Sequence, residues 1–271
     1  MRDDPSDAAL RARLAHLAAA PDGTLLRVDR GDYEIVLLKE GRELQLYFAA
    51  PSAHGMQLSG VMSRIDLGAP LKLLGLYTQA MLLALLWAPA PTRVYAAGLG
   101  GGRVPLVLHH LLPEAVIDST EIDPAVAEIA QTHFALAPDA RLRVHIEDGV
   151  DFLETRRAEA PYDIILIDCY GGGATIPDKF ASETFYALCK ARLAPGGVVA
   201  ANIDPQDSAL REKLAIIARA FPRAMRFRSG PANVVFGAEA PPDLTRLNAL
   251  AQHFAAAAPL KALAAKLKPL A

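Results

Sequence analysis

Asp168 ends the apolar run "YDIILID" and is followed at once by Cys169, Tyr170 and three glycines, Gly171 to Gly173. A carboxylate at the mouth of a strand, beside a loop almost without side chains, suits a binding-site rim. Such a carboxylate could do chemistry or only hold a ligand, and the Tyr170 phenol stands beside it in sequence. Three other strand-like runs end in a similar way. "RVYAA" leads into Gly98, Leu99, Gly100, Gly101, Gly102 and Arg103; "AVIDSTEID" closes with Glu121 and Asp123; "LRVHIEDG" closes with Glu147, Asp148 and Gly149. Ligands of open parallel sheets bind beyond the carboxyl ends of the strands, so all four features fall on one edge.

Each feature has a plainer reading. The glycines can be a tight turn that packs a helix on a strand, Glu121 a solvated acid, Asp148 an N-cap and Asp168 a loop cap. Taken together they point to a nucleoside. A carboxylate after the second strand can accept both ribose hydroxyls. An acid and an amide after the third can read an adenine edge, and glycines let the backbone approach closely. A dinucleotide fingerprint needs glycines at its first, third and sixth positions. Gly98 and Gly100 fit, but the sixth position is Arg103.

Cys169 adjoins the candidate site, yet no histidine lies near it in sequence, so a small packing residue is expected rather than a nucleophile. His109 and His110 close a helix and read as surface residues compatible with its dipole. No cluster has metal-ligand spacing, and no metal is expected.

The elements that must position these groups form a mixed α/β chain. Residues 1–23 read as a charged helical segment without signal-peptide features, and 24–68 as a small β domain whose strands include "LLRVD", "YEIVLLKEG" and "ELQLYFAA". Residues 69–91 read as a connecting, buried helix over 71–88; its uninterrupted apolar run is too short to cross ~30 Å of hydrocarbon. From 92 to 240 short apolar strands alternate with helices, which predicts a Rossmann-like parallel sheet covered on both faces. "MRFRS" and "NVVFGA", around Ser229-Gly230-Pro231, predict a terminal antiparallel hairpin. The tail, 241–271, reads as a surface or interface helix.

The chain has 271 residues, 52% of them hydrophobic, and a formal charge of −2, enough for a sizeable core and without the basic excess of a nucleic-acid binder. Two cysteines, Cys169 and Cys189, form no disulfide framework and fit a cytoplasmic setting. No nucleic acid or membrane partner is expected. A homodimer through the β unit or the tail is.

"VYAAGLGGG", "STEIDPAVAEIA", "IEDGVDFL", "YDIILIDCYGGG" and "LAPGGVVAANI", in that order, resemble the spermidine synthase-like branch of the aminopropyltransferase family. The resemblance spans about 24 to 240 and implies a small β domain before a class I methyltransferase-like domain. It implies Glu121 as the ribose acid, Asp148 and Gly149 as the adenine contact, and Asp168 as the first acid of a D-x-x-D loop that holds and deprotonates the attacking amine. Tyr77 matches the tyrosine of a tyrosine–histidine pair near the acceptor, with Thr78 where the histidine would be.

The chain departs from the family pattern at three points. Gly101 replaces an aspartate of the glycine turn that pairs with the ammonium of decarboxylated S-adenosylmethionine. Gly171 replaces the second acid of D-x-x-D. Met62 stands where an acceptor-side glutamine is expected, with Gln57 as a substitute. A cationic polyamine needs such acids for attraction and deprotonation, since its amines ionise near the lysine value of about 10. Their loss makes room for a donor that keeps its α-carboxylate, which Arg103 and the following helix N-terminus would favour. The expected function is therefore a transferase using S-adenosylmethionine or a close relative, with methyl transfer to a small-molecule acceptor. The alternatives are a polyamine aminopropyltransferase using decarboxylated S-adenosylmethionine, and a non-catalytic nucleoside-binding protein.

Overall fold

Strand and helix alternate along most of the computed structural model, which describes residues 5–52, 55–170 and 177–270. A helix α1 (Pro5–Ala19) precedes four antiparallel strands in simple meander order, β1 (Gly23–Asp29), β2 (Glu34–Glu40), β3 (Glu43–Ser52) and β4 (Gly55–Asp66). The fourth strand was not among the strands anticipated. Its run "GMQLSGVMSRID" mixes glycine and polar residues, and its pairing with β3 shifts register around Tyr47.

The expected helix over 71–88 is shorter. It comprises α2 (Leu76–Met81) and a 3₁₀ turn over Leu82–Leu86. Gln79 donates to the Leu73 carbonyl at 2.6 Å and Thr78 to the Gly75 carbonyl at 2.7 Å, so the preceding residues fold back instead of extending the helix. Residues 82–86 are all buried. Among the described residues no helix is long and apolar enough to cross a membrane.

The larger sheet is built from β5 (Arg93–Ala97), α3 (Arg103–Leu111), β6 (Val116–Glu121), α4 (Pro124–His133), β7 (Leu142–Ile146), α5 (Gly149–Thr155), β8 (Tyr162–Ile167), α6 (Glu183–Arg192), β9 (Leu193–Asn202) and α7 (Leu210–Ala220). A hairpin of β10 (Met225–Ser229) and β11 (Ala232–Ala238) follows, then α8 (Leu247–His253), α9 (Leu260–Ala264) and β12 (Leu267–Pro269). The strand order is β12-β10-β11-β9-β8-β5-β6-β7. The strands from β5 to β9 are parallel, and the hairpin and β12 run antiparallel. β5 and β8 are buried along most of their length because helices cover both faces, which accounts for their continuous apolar runs.

The tail, expected as one surface or interface helix, is instead two short helices and a strand that joins the large sheet. Leu250, Phe254, Leu260 and Leu263 are buried, and β12 pairs with β10, so the C-terminus extends the sheet by one strand. The strand order reverses at β5: β6 and β7 lie to one side, β8 and β9 to the other. That switch point opens a crevice at the carboxyl ends of β5 and β8. The small sheet supplies its roof, since Val61, Met62 and Ser63 of β4 face it.

Candidate active site

The crevice is a cavity of about 480 Å³. Its floor depends on two glycines. Gly98 has φ +85°, and a Cβ there would overlap the carbonyl of Asp168. The two segments are also stitched by Asp168 N–H donating to the Ala97 carbonyl at 2.9 Å. Gly149 accepts from the Tyr95 hydroxyl at 2.8 Å, and a Cβ on it would sit 2.7 Å from that oxygen. Gly98, Gly100 and Gly149 all line the cavity. Gly101 does not: a Cβ there would strike Ser63 Oγ at 2.6 Å and the Phe134 ring at 2.7 Å. The expected cofactor contact at Gly101 is thus replaced by packing against the roof.

Glu121 and Asp123, adjacent acids after β6, have different tasks. Glu121 faces the cavity. Its Oε1 accepts from the amides of Ile122 and Asp123 at 2.9 and 3.1 Å, and its Oε2 from Leu99 and Gly100 at 3.2 and 3.4 Å. Burial pushes its carboxyl up, opposed by these four amides. Asp123 is turned away. Its Oδ1 caps α4 through Ala125 N–H at 2.9 Å, while Oδ2 takes the Tyr33 hydroxyl at 2.6 Å and Arg30 Nε at 3.0 Å. It is not a cofactor residue. It joins the small β sheet to the large one, and Pro124 at the first helical position marks it as an N-cap.

Asp148 combines both readings offered by its sequence context. Oδ1 caps α5 by accepting from Val150 N–H at 2.9 Å, and the residue also lines the cavity. Oδ2 is paired with Lys179 Nζ, which enters from the segment after β8.

Asp168 stands at the end of β8, partly buried on the cavity wall. Asn202, the last residue of β9, donates to its Oδ1 at 2.9 Å, and the Tyr77 phenol also bonds to it. Burial outweighs both and pushes the carboxyl up to about 6. Tyr77 lies 3.3 Å from the Met62 carbonyl as well. Tyr170 donates to the Asn202 carbonyl at 3.3 Å, and burial beside Asp168 drives its phenol far above its ordinary value. A phenol held protonated in this way suits orienting a group better than accepting a proton. The Cys169 thiol is likewise pushed up by burial, which disfavours a reactive thiolate.

Arg103 opens α3 and is only 4% exposed. One terminal nitrogen donates to the Pro70 carbonyl; Nε and Nη1 have no hydrogen-bond partner among the described residues. It lines the cavity, and burial pushes its guanidinium down to about 9, so it stays cationic at neutral pH. A buried, half-satisfied cation of this kind is costly unless an anion completes it.

Gln57 does not reach the site. It is exposed on β4, paired with Ala50, and the cavity wall is formed by Met62 instead. Thr78 is buried and lines the cavity with its hydroxyl turned to Gly75. His109 bonds Asp139 at 3.0 Å and His110 the Leu106 carbonyl at 3.0 Å, both away from the cavity. The Gly171 position lies outside the described residues. Among those residues no group of three or more His, Cys, Asp or Glu could hold a metal. Asn202 and Lys179 went unsuspected. Asn202 ends a parallel strand like the other site residues, a signal that was available, but as an amide it does not titrate. Lys179 carries no local signal.

Residues 92–222 match the spermine/spermidine synthase domain family. The mouse eEF1A lysine and N-terminal methyltransferase is 35% identical over 153 residues, 52% of this chain and 22% of that protein. A polyamine aminopropyltransferase from Chromobacterium violaceum is 31% identical over 170 residues, 62% of this chain and 61% of the relative. The chain thus spans less than two thirds of the length of either. The crystal structure of human methyltransferase-like protein 13 in complex with SAH aligns with a TM-score of 0.59 and 28% identity, over 68% of this chain and 91% of that one. By its domain match over residues 92–222, its relatives and its sheet order, this chain is similar to the spermidine synthase-like proteins.

Proposed function

We propose that the chain is a transferase that binds S-adenosylmethionine in the switch-point cavity and directs its methyl group to a small-molecule acceptor. The observation that carries this reading is Arg103, a buried cation with two unsatisfied nitrogens on the cavity wall. It calls for a carboxylate, which S-adenosylmethionine has and its decarboxylated form lacks. Relatives named methyltransferases and aminopropyltransferases are both transferases. The two free thiols, Cys169 and Cys189, support a cytoplasmic setting.

The residues fit such a donor. Gly98 and Gly149 line the cavity where a Cβ would strike the Asp168 carbonyl and the Tyr95 hydroxyl, so only glycine keeps these floor segments closely packed. Glu121 would hold the ribose by exchanging its two longest amide contacts, those from Leu99 and Gly100, for hydroxyls. Asp148 would accept from the adenine once Lys179 withdraws. When bound, the donor supplies a sulfonium-activated carbon whose electron pair returns to sulfur as the acceptor's lone pair forms the new bond. Asp168 takes the proton that the acceptor loses, Asn202 fixes its orientation, and Tyr77 holds the carboxylate toward the acceptor.

Aminopropyl transfer is the second reading. The Asp168–Tyr77 pair favours it, because it keeps a carboxylate on the acceptor side. Calorimetric titration with S-adenosylmethionine and with its decarboxylated form separates the two. Tighter binding of the carboxylate-bearing donor, lost in Arg103→Met, supports methyl transfer. Tighter binding of the decarboxylated donor rejects it in favour of aminopropyl transfer.

A further inference from the structure

A second cavity, of about 380 Å³, adjoins the first and shares with it a wall of Met62, Ser63, Tyr77, Thr78, Arg103 and Pro231. Its charged lining among the described residues consists of two guanidiniums, Arg64 and Arg103, with no carboxylate. Arg64 reaches in from β4. One of its nitrogens donates to the Leu74 carbonyl at 3.2 Å, and Glu43, outside the lining, is 3.8 Å from another. Asp168 lines only the first cavity, beyond Tyr77.

We propose that this second cavity is the acceptor pocket and that the acceptor carries a carboxylate, so that a carboxylate-bearing nucleophile is taken in preference to a diamine. The inference rests on the reading of the first cavity as the donor site. The joint volume holds two guanidiniums. The α-carboxylate of the donor accounts for Arg103; Arg64, whose nearest acid Glu43 is a loose 3.8 Å partner outside the lining, is the cation left to face an anion of the acceptor. A planar guanidinium binds a carboxylate through paired, charge-assisted hydrogen bonds. A diamine there would place an ammonium against the Arg64 guanidinium, a like-charge arrangement that excludes wrong partners. The nucleophilic end of the acceptor then lies toward Tyr77 and Asp168, and its anionic end toward Arg64.

The probes are 5-aminopentanoate and putrescine, which share one methylene chain and differ only in a terminal carboxylate or ammonium. Each is titrated calorimetrically into protein saturated with SAH, and into donor-free protein. The expected result is binding of 5-aminopentanoate at least about tenfold tighter than putrescine. Arg64→Gln should lower that affinity by about tenfold while SAH affinity is retained, which also shows that the variant is folded. Equal or tighter binding of putrescine, no binding of 5-aminopentanoate, or an Arg64→Gln variant that binds it normally overturns the proposal. The donor reading fails separately, by an absence of S-adenosylmethionine binding in protein that still binds 5-aminopentanoate.

Discussion

Asn202 donates its side-chain amide to Oδ1 of Asp168 at 2.9 Å, so the last residue of one parallel strand grips the residue just beyond the end of its neighbour. The grip sets both where the carboxylate points and when it ionises. Burial raises its pKa to about 6, and the Asn202 amide holds it from rising further. Turnover that needs ionised Asp168 should therefore climb with pH through about 6 and level off above it. In Asn202→Ala the acid limb of kcat/KM should move to higher pH, an effect that a merely structural role for Asn202 would not produce. An unmoved profile would remove Asn202 as a positioning residue.

Asp168→Asn should abolish turnover, leave donor binding largely intact and stabilise the fold at neutral pH. A carboxyl whose pKa is raised on folding, here from 3.8 to about 6, costs nothing below the unfolded value. The cost grows as pH rises between the two values and is constant above the higher one. Thermal unfolding should show the variant more stable than the parent at pH 7.5, by on the order of 1–3 kcal/mol, with no gain near pH 3. Asparagine keeps an acceptor for Asn202, so the hydrogen bond survives. A variant that retains turnover would take Asp168 out of the mechanism.

Gly98→Ala should be among the most damaging single changes on the cavity floor. The position combines φ +85° with a Cβ direction blocked by the Asp168 carbonyl, which is backbone and cannot swing aside. The expected loss is about 2–4 kcal/mol in urea unfolding, from left-handed strain and overpacking together. Donor affinity should fall with it, because relieving the overlap displaces both the glycine turn and Asp168. A variant of parental stability would mean that the turn can open without cost.

Asp123→Ala separates fold from function at the neighbouring acid. It removes the cap of α4, worth about 1 kcal/mol, and strands Tyr33 and Arg30, whose partner sits behind the cavity wall. Stability should drop while the donor affinity of the folded protein stays at the parental value. A selective loss of donor binding would return Asp123 to the site from which its orientation excludes it.

These contrasts show what the sequence alone could reveal. The parallel strands were legible because burial on both faces writes them as unbroken apolar runs, and the site edge was legible because ligands gather at their carboxyl ends. Orientation was not. Glu121 and Asp123 are both acids just after β6, and only the helix entering at Pro124 turns one away from the cavity. Arg103 is placed beside the donor by its charge and its position at the start of the helix after the glycine turn, whereas its burial and its half-used guanidinium depend on Pro70, far off in the chain. β12 was illegible because "LKP" becomes a strand only by pairing with β10. The tail reads as helical, but that Leu250 and Phe254, four residues apart, are buried depends on the core they meet.

Lys179 poses the last test. Its ammonium sits on Asp148 Oδ2, the oxygen that an adenine amino group would need, while Oδ1 is committed to the cap of α5. Donor binding must therefore break an ion pair between a half-exposed lysine and a nearly buried carboxylate. Exposed pairs are worth about 0.2–1 kcal/mol, so Lys179→Gln should tighten donor binding by a factor of about 1.5–5 and leave the cap intact. The gain should shrink at high salt, where the parental pair is already weakened. Titration of both proteins with SAH at low and high salt reads the effect directly. If the variant instead binds more weakly, Lys179 is a donor contact rather than a competitor, and its pairing with Asp148 is how the pocket stores it before the ligand arrives.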